Sequence, residues 1–314
     1  MLKAKYNLWP VFLKKERGPN AIFAPSHWPL AMQSLWMIVA GFFFAGMGVC
    51  VKLSAREGYS LAEIVLYRSA IMLFIMLALV RWHNVQLATK HWHRHVKRGV
   101  TGFCSLSVYF YAISLLPLAT AVTLNYTSPV FLMLMLVFFR GLKANWGIVF
   151  ALGLGFLGVV FLLHPTFEEQ ILFGVTVALT SAVLTAMVYF DVSDLGRRGE
   201  PTARTVFYFS LISTLLSLVW IAFSRLNPIT LRGFFMLAGT GVFATLGQLA
   251  MTRAYSRGKV LLSASLTYTA VVFATLSGVI FWGEHLGWME LMGMILVMVS
   301  GISANYFSSG KKEE

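Results

Sequence analysis

Ten apolar stretches, each about as long as a helix needs to cross a hydrocarbon layer, recur along this chain of 314 residues. They lie at about 30–52, 61–80, 97–115, 118–139 and 145–163, then at 172–192, 204–223, 233–253, 261–282 and 287–307. Inside a bilayer every backbone N–H and C=O must find its partner within the protein, so single runs of this kind can only be helices. They fill nearly the whole chain, and no sizeable soluble domain fits beside them. Composition agrees, with 58% of residues hydrophobic and 12% charged, where soluble domains carry about a quarter charged. With 26 Phe, 9 Trp and 11 Tyr, a disordered chain is excluded as well. The expected fold is an all-α polytopic membrane protein with ten transmembrane helices.

The net charge of +13 could point to nucleic acid, but in a membrane chain it is first a statement about topology. An even number of crossings puts both termini on one side. On that side fall Lys3, Lys5, Lys14, Lys15 and Arg17, then Arg81, Lys90, Arg94, Lys97 and Arg98. Arg140, Lys143, Arg197, Arg198 and Arg204 follow, with Arg253, Arg257, Lys259, Lys311 and Lys312. These are 20 of the 25 basic residues, leaving Lys52, Arg56, Arg225 and Arg232 opposite and Arg68 within a span. The bias predicts cytoplasmic termini and accounts for the positive charge without nucleic acid. Residues 1–29 lack the apolar core of a cleaved signal peptide and read as a basic cytoplasmic arm, with 308–314 as a cytoplasmic tail. Cys50 and Cys104 fall inside apolar runs, where a thiol behaves as a small hydrophobe.

The chain also repeats itself. At a constant offset of 142 residues, Ala112 and Ser114 fall on Ala254 and Ser256, Tyr126 and Thr127 on Tyr268 and Thr269, and Phe131 on Phe273. The same offset carries Gly141 onto Gly283 and Trp146 onto Trp288 without a gap. The halves are 30–163 and 172–307. Each holds five crossings, an odd number, so the halves enter the membrane from opposite sides as an inverted repeat. The charges follow: neutral Leu116-Pro117-Leu118 corresponds to basic Arg257-Gly258-Lys259.

With Arg68-Ser69, Tyr111-Ala112, Leu116-Pro117-Leu118-Ala119-Thr120-Ala121, Asn125-Tyr126-Thr127-Ser128-Pro129 and Trp282-Gly283-Glu284, the sequence resembles the EamA family of the drug/metabolite transporter superfamily over about 30–307. The resemblance implies a ten-helix secondary carrier exporting small organic molecules, such as amino acids or related metabolites, from a bacterial inner membrane. It implies no cofactor. Both monomeric and homodimeric states stay open, and the partners expected are a small-molecule substrate and membrane lipids.

Arg68 lies about eight residues into the second span, where a charge is costly unless partnered or hydrated. It either faces a central cavity and meets a substrate carboxylate or phosphate, or ties helices together through carbonyls and polar side chains. Its helix neighbour Glu63 stands about 140° around the axis, a poor partner. The fourth and ninth spans carry matched polar runs, in which Asn125, Tyr126, Ser128, Thr267 and Tyr268 are binding candidates, with Pro129 removing one backbone donor. Small hydroxyls also serve close helix packing. Tyr109, Tyr189, Gln248 and Trp36 could line the same space. Asp191, Glu63 and Glu290 are the acids from which proton coupling would be drawn, against plain solvation at helix ends. His91 and His95 share a helical face, but with no carboxylate or thiol near in sequence they read as part of a hydrated basic loop, and no metal site is expected.

No phosphate-cradling G-x-x-x-x-G-K-[ST] segment occurs, so the carrier would run on gradients. A membrane-embedded enzyme finds no support, since neither H-E-x-x-H nor a nucleophile elbow is present. A lipid or isoprenoid-phosphate translocase and a carrier of nucleotide-type metabolites remain as alternatives.

Overall fold

The computed structural model describes residues 29–309 except 117, 143–145, 164–171, 225 and 284–286. The N-terminal arm up to residue 28, Lys143, Arg225, Glu284 and the tail from residue 310 lie outside the described residues, as does the Glu290 side chain. Among the described residues all regular structure is helical: α1 (Leu30–Ser34), α2 (Trp36–Arg56), α3 (Leu61–Trp82), α4 (Trp92–Leu115), α5 (Leu118–Asn125), α6 (Ser128–Arg140) and α7 (Trp146–Leu163). After the undescribed stretch come α8 (Leu172–Arg197), α9 (Thr202–Ile221), α10 (Leu231–Arg257), α11 (Val260–Leu266), α12 (Thr269–Trp282) and α13 (Trp288–Ser309).

Among the described residues seven stretches are long and apolar enough to cross a membrane: Leu30–Arg56, α3, Ala121–Arg140, α8, α9, α10 and Val260–Trp282. Two shorter apolar stretches sit within α7 and α13. The protein is a polytopic, all-helical membrane protein. Helix α4 is long but less apolar, because Arg98, Ser105, Ser107 and Tyr109 dilute it. Those polar residues turn out to face the interior site.

Two spans are broken. Backbone helix stops after Asn125 and resumes at Ser128, and it stops after Leu266 and resumes at Thr269. Pro129 stands at the start of α6, where its missing N–H costs nothing. The second break has no proline; the hydroxyl of Thr269 instead donates to Leu266 O at 2.7 Å, as that of Thr127 does to Leu124 O at 2.6 Å. Both resumed helices end on a left-handed glycine, Gly141 at φ 64° and Gly283 at φ 66°, where a side chain would be strained.

Packing follows a regular scheme. The tightest helix pairs are α7 with α13, α2 with α10, α4 with α8, and α3 with α9. Secondary contacts join α3 to α10, α4 to α9, α2 to α12 and α6 to α8. Close approach is allowed by small residues: a Cβ on Gly158 would stand 2.8 Å from Gly293 O, and one on Gly41 3.1 Å from the Ala270 backbone. Helix α3 starts on a capping box in which Ser60 and Glu63 satisfy each other's backbone N–H groups.

Candidate functional site

The interior site grows from five helices whose polar side chains turn inward because their outer faces meet lipid. Arg68 on α3 is buried, and it forms neither ion pair nor hydrogen bond with any described residue. Arg98 on α4 is buried as deeply and is only 2% exposed. Its Nη2 reaches Gln248 Oε1 on α10 at 3.4 Å, a long contact, and the guanidinium lies over the Phe209 ring of α9 at 4.3 Å. Nε and Nη1 of Arg98 and Nε of Arg68 are buried with no hydrogen-bond partner. Each of the two arginines lies within the electrostatic reach of the other. Room for Arg98 is made by Gly102 one turn along: a Cβ there would fall on Nη1 and stand 2.9 Å from the Phe209 ring.

A set of tyrosines adjoins Arg98 through Tyr189. Tyr189 on α8 interacts electrostatically with Arg98 and stacks on Tyr255 of α10 with ring centroids 4.4 Å apart. Tyr109 and Tyr126 interact with each other, and Tyr126 with Tyr189. Tyr109 and Tyr126 are enclosed by protein yet keep accessible surface, as side chains do that line an internal space. At the two broken spans Tyr126 meets Tyr268, their ring centroids 6.3 Å apart. Tyr268 is fully buried on Gly155 of α7, and its hydroxyl has no partner. Thus Tyr109, Tyr126, Tyr189 and Tyr268 form one chain of neighbours, which Arg98 and Gln248 join at Tyr189.

Other sequence candidates sit elsewhere or are already engaged. Asn125 donates to Ser181 Oγ at 2.8 Å and Thr185 Oγ1 at 3.5 Å, which ties α5 to α8. Thr267 pairs with the Tyr255 hydroxyl at 2.9 Å, and Ser128 is buried at the start of α6. Trp36 lies near the Arg253 guanidinium, 5.4 Å from its ring, and packs against the core that holds Tyr189, Tyr255 and Tyr268. Glu63 accepts from the backbone of Ser60 at 2.7 Å and of Asn227 at 2.5 Å and from the Asn227 side chain at 3.1 Å, so it locks α3 to the α9–α10 connection. Asp191 accepts from Lys97 Nζ at 2.7 Å, while its Oδ2 is buried without a partner and the residue lies within reach of Arg98.

Three expectations are corrected. Arg98 is not a loop cation: α4 starts at Trp92, five residues ahead of the expected edge, and turns Arg98 inward. Arg253, also assigned to a connection, lies within α10, 3% exposed, and donates to Gln33 Oε1 at 2.8 Å. The histidine run is not a hydrated loop either. His95 is fully buried, stacked on Tyr208 with centroids 4.7 Å apart, and Nε2 lies 3.2 Å from Glu200 Oε2. Glu200 also accepts from Arg204 Nη1 at 2.7 Å and from the Thr89 hydroxyl.

In this cluster burial disfavours the charged imidazolium, and the nearby carboxylate only partly offsets that, so His95 titrates below its ordinary range. Burial also pushes Glu200 up, but hydrogen bonds from Thr89, Arg204 and His95 outweigh it and hold the carboxyl below the usual carboxylate range. The residues missed by sequence reading are Arg98 and Tyr255. The signal that could have found Tyr255 is its place in the repeat, one residue past Ala254.

A polytopic helical bundle that buries arginines in its interior and brings tyrosines together at two broken spans has the makings of a membrane transporter. The chain belongs to the EamA-like transporter family, whose model matches it twice, at residues 31–164 and 172–305. It is 32% identical to the pseudopaline exporter CntI of Pseudomonas aeruginosa, over 88% of this chain and 96% of that protein. It is 23% identical to an S-adenosylmethionine uptake transporter of Rickettsia felis, over 75% of this chain and 80% of that one. A solved crystal structure of 19% identity superposes with a TM-score of 0.78, covering 88% of this chain and 99% of its own, and shares the fold.

Proposed function

We propose that the protein is a secondary active transporter that exports a small organic metabolite, an amino acid or a related compound, across a bacterial inner membrane by alternating access. Ten spans form two five-helix halves of opposite orientation, with both termini cytoplasmic. The helix packing supports this reading. Exchanging the halves turns α2 with α10 into α8 with α4, and α2 with α12 into α8 with α6, while α3 with α9 and α7 with α13 map onto themselves. A two-fold axis in the membrane plane has this property.

The observation that carries the function is the convergence of the two broken spans, Tyr126 against Tyr268. Such discontinuous helices free backbone groups at mid-membrane, and rocking of one half against the other would expose the site to each side in turn. Export is favoured over uptake by the higher identity to an exporter. Proton coupling falls to Asp191, whose second oxygen is unengaged at the cytoplasmic end of α8, because Glu63 is consumed by its cap.

The test is counterflow in proteoliposomes against a panel of amino acids, nucleosides, vitamins and nucleotide-linked metabolites. A labelled metabolite that exchanges faster than in protein-free vesicles, and faster still under an imposed proton gradient, supports the reading. Exchange indifferent to the proton gradient in wild type sinks the proton coupling, and no exchange with any member of the panel sinks the carrier.

A further inference from the structure

The first spans of the two halves begin differently. At the repeat's offset of 142 residues, α1 corresponds to the beginning of α8. Helix α8 runs unbroken from Leu172, whereas α1 stops after Ser34 and α2 starts at Trp36, with the exposed Leu35 between them. There the ladder tightens, Ile38 N donating to Leu35 O at 2.9 Å, the three-residue bond that often marks a hinge. A helix of five residues does not hold its shape alone, so α1 stands by what it touches on α10 and α11.

Those contacts are polar and fully enclosed. Ser34 and Gln33 are buried. Ser34 Oγ accepts from Lys259 N at 2.8 Å, and its one proton is shared between Lys259 O at 3.2 Å and Leu30 O at 3.4 Å. Gln33 Oε1 accepts from Arg253 Nε at 2.8 Å. Gly258 permits the approach, since a Cβ there would stand 2.5 Å from Ser34 Oγ and 2.7 Å from Ser34 N. Lys259 also leads directly into α11, whose far end is the break at Tyr268, so α1 holds one end of the half-helix that reaches the tyrosines.

The mate contact, where α8 meets the end of α4, is apolar. A Cβ on Gly174 would meet Leu116 Cδ2 at 2.7 Å, and Val175 packs on the cluster of Leu116, Ala121 and Leu124. Thr176, the counterpart of Ser34, is exposed and donates to Leu172 O of its own helix at 2.9 Å. The counterpart of Lys259 is Pro117, which has no N–H to offer. Hydrogen bonds such as those of Ser34 and Gln33 are directional, yet water replaces them at small net cost once the groups are released, which suits a contact made and broken repeatedly. We propose that α1 is a hinged gate over one mouth of the interior, pivoting at Leu35 and latched by Ser34 and Gln33 onto Lys259 and Arg253. The mate mouth has no such part and opens only with the whole of α8. The inference rests on the carrier reading and adds the moving part of one of its two mouths, the cytoplasmic one in that reading.

The test places spin-label pairs in the purified full-length protein, with Cys50 and Cys104 replaced by alanine. One pair, Leu30→Cys with Arg257→Cys, spans the α1 contact; its two-fold mates, Leu172→Cys with Leu115→Cys, span the other. Pulsed-dipolar distances are compared between the intact latch, Ser34→Ala and Lys259→Pro. The proline suits the local backbone, with φ −74° at residue 259 and Gly258 extended at ψ −178°, and it replaces the donated N–H by a methylene. A longer-distance component at the α1 pair is expected to grow about fivefold in Ser34→Ala and further in Lys259→Pro, while the mate pair stays as it is. The proposal is overturned if neither variant lengthens the α1 pair, if the mate pair changes in step, as it would when whole halves rock, or if Ser34→Ala is lost as folded protein. A gate that opens as expected in a protein that exchanges no member of the metabolite panel breaks the carrier reading and leaves the latch standing; exchange with an unmoved α1 pair does the opposite.

Discussion

Two buried charge clusters start from adjacent turns of α4, at His95 and at Arg98, and they are finished in opposite ways. In the first, Glu200 receives Thr89, Arg204 and His95, and Arg204 goes on to donate to Gln86 O at 2.7 Å. Tyr208 closes the same corner by donating to Leu87 O at 3.1 Å. One turn further in, Arg98 and its neighbour Arg68 have three buried donors with nothing to bind. A protein able to complete the first set could have completed the second, so the difference is informative. Satisfied charge marks where the fold is held, and unsatisfied charge marks where something else is meant to arrive.

The sharpest way to break this comparison is to remove the carboxylate from the finished cluster. Glu200→Ala strands His95, Arg204 and Thr89 and is expected to cost about 3 kcal/mol or more of stability, read as a fall in Tm and in the amount of folded protein in the membrane. The corresponding change in the unfinished cluster should do the reverse: Arg68→Ala leaves folded protein unchanged but lowers transport about a hundredfold, equivalent to about 2.7 kcal/mol. Loss of folded Arg68→Ala protein would assign that residue to the scaffold and erase the contrast.

A smaller effect concerns acid. In the neutral ring Nε2–H donates to Glu200 and Nδ1 stays bare, since Nδ1 has no partner. The folded protein therefore binds this proton more weakly than the unfolded chain, and stability falls as pH drops through the ordinary 6.5 toward the lower folded value. Glu200, held below its ordinary 4.5, adds a second loss below that pH. Thermal melts of wild type and His95→Gln across this window should differ mainly in the upper step; identical profiles would remove His95 from the account. Least of all, Lys52→Ala removes a cation lying 3.8 Å from the Trp282 centroid at the other end of the molecule. Being exposed, that contact should cost under about 1 kcal/mol, within reach of a careful denaturation comparison.

Much of this architecture is legible in the sequence because the bilayer leaves little choice: apolar runs must be helices, and their lengths place the helix ends within a few residues. Arg68 announces itself by sitting in the middle of such a run. Arg98 does not, because it directly follows Lys97 at the edge of a basic segment, where one extra turn of α4 decides whether a side chain sees solvent or Gln248. Helix rotation is hidden for a similar reason: α7, α9 and α12 are apolar on all sides, so periodicity carries no sign of which face is inward. That Asn125 is spoken for by Ser181 and Thr185 depends on a helix some 56 residues away, beyond any local pattern. The same holds for His95, whose burial follows from Glu200 folding back onto it.

Gly102 gives this interior an adjustable part. Every replacement adds at least one carbon against both Arg98 Nη1 and the Phe209 ring, so the guanidinium and the ring under it must shift together. A graded series of alanine, serine and threonine at this position would move a positive charge by fractions of an ångström without changing its sign or number. Engineers who want the protein to accept a longer or shorter cargo have there a steric dial, set at a residue that contributes no functional group of its own.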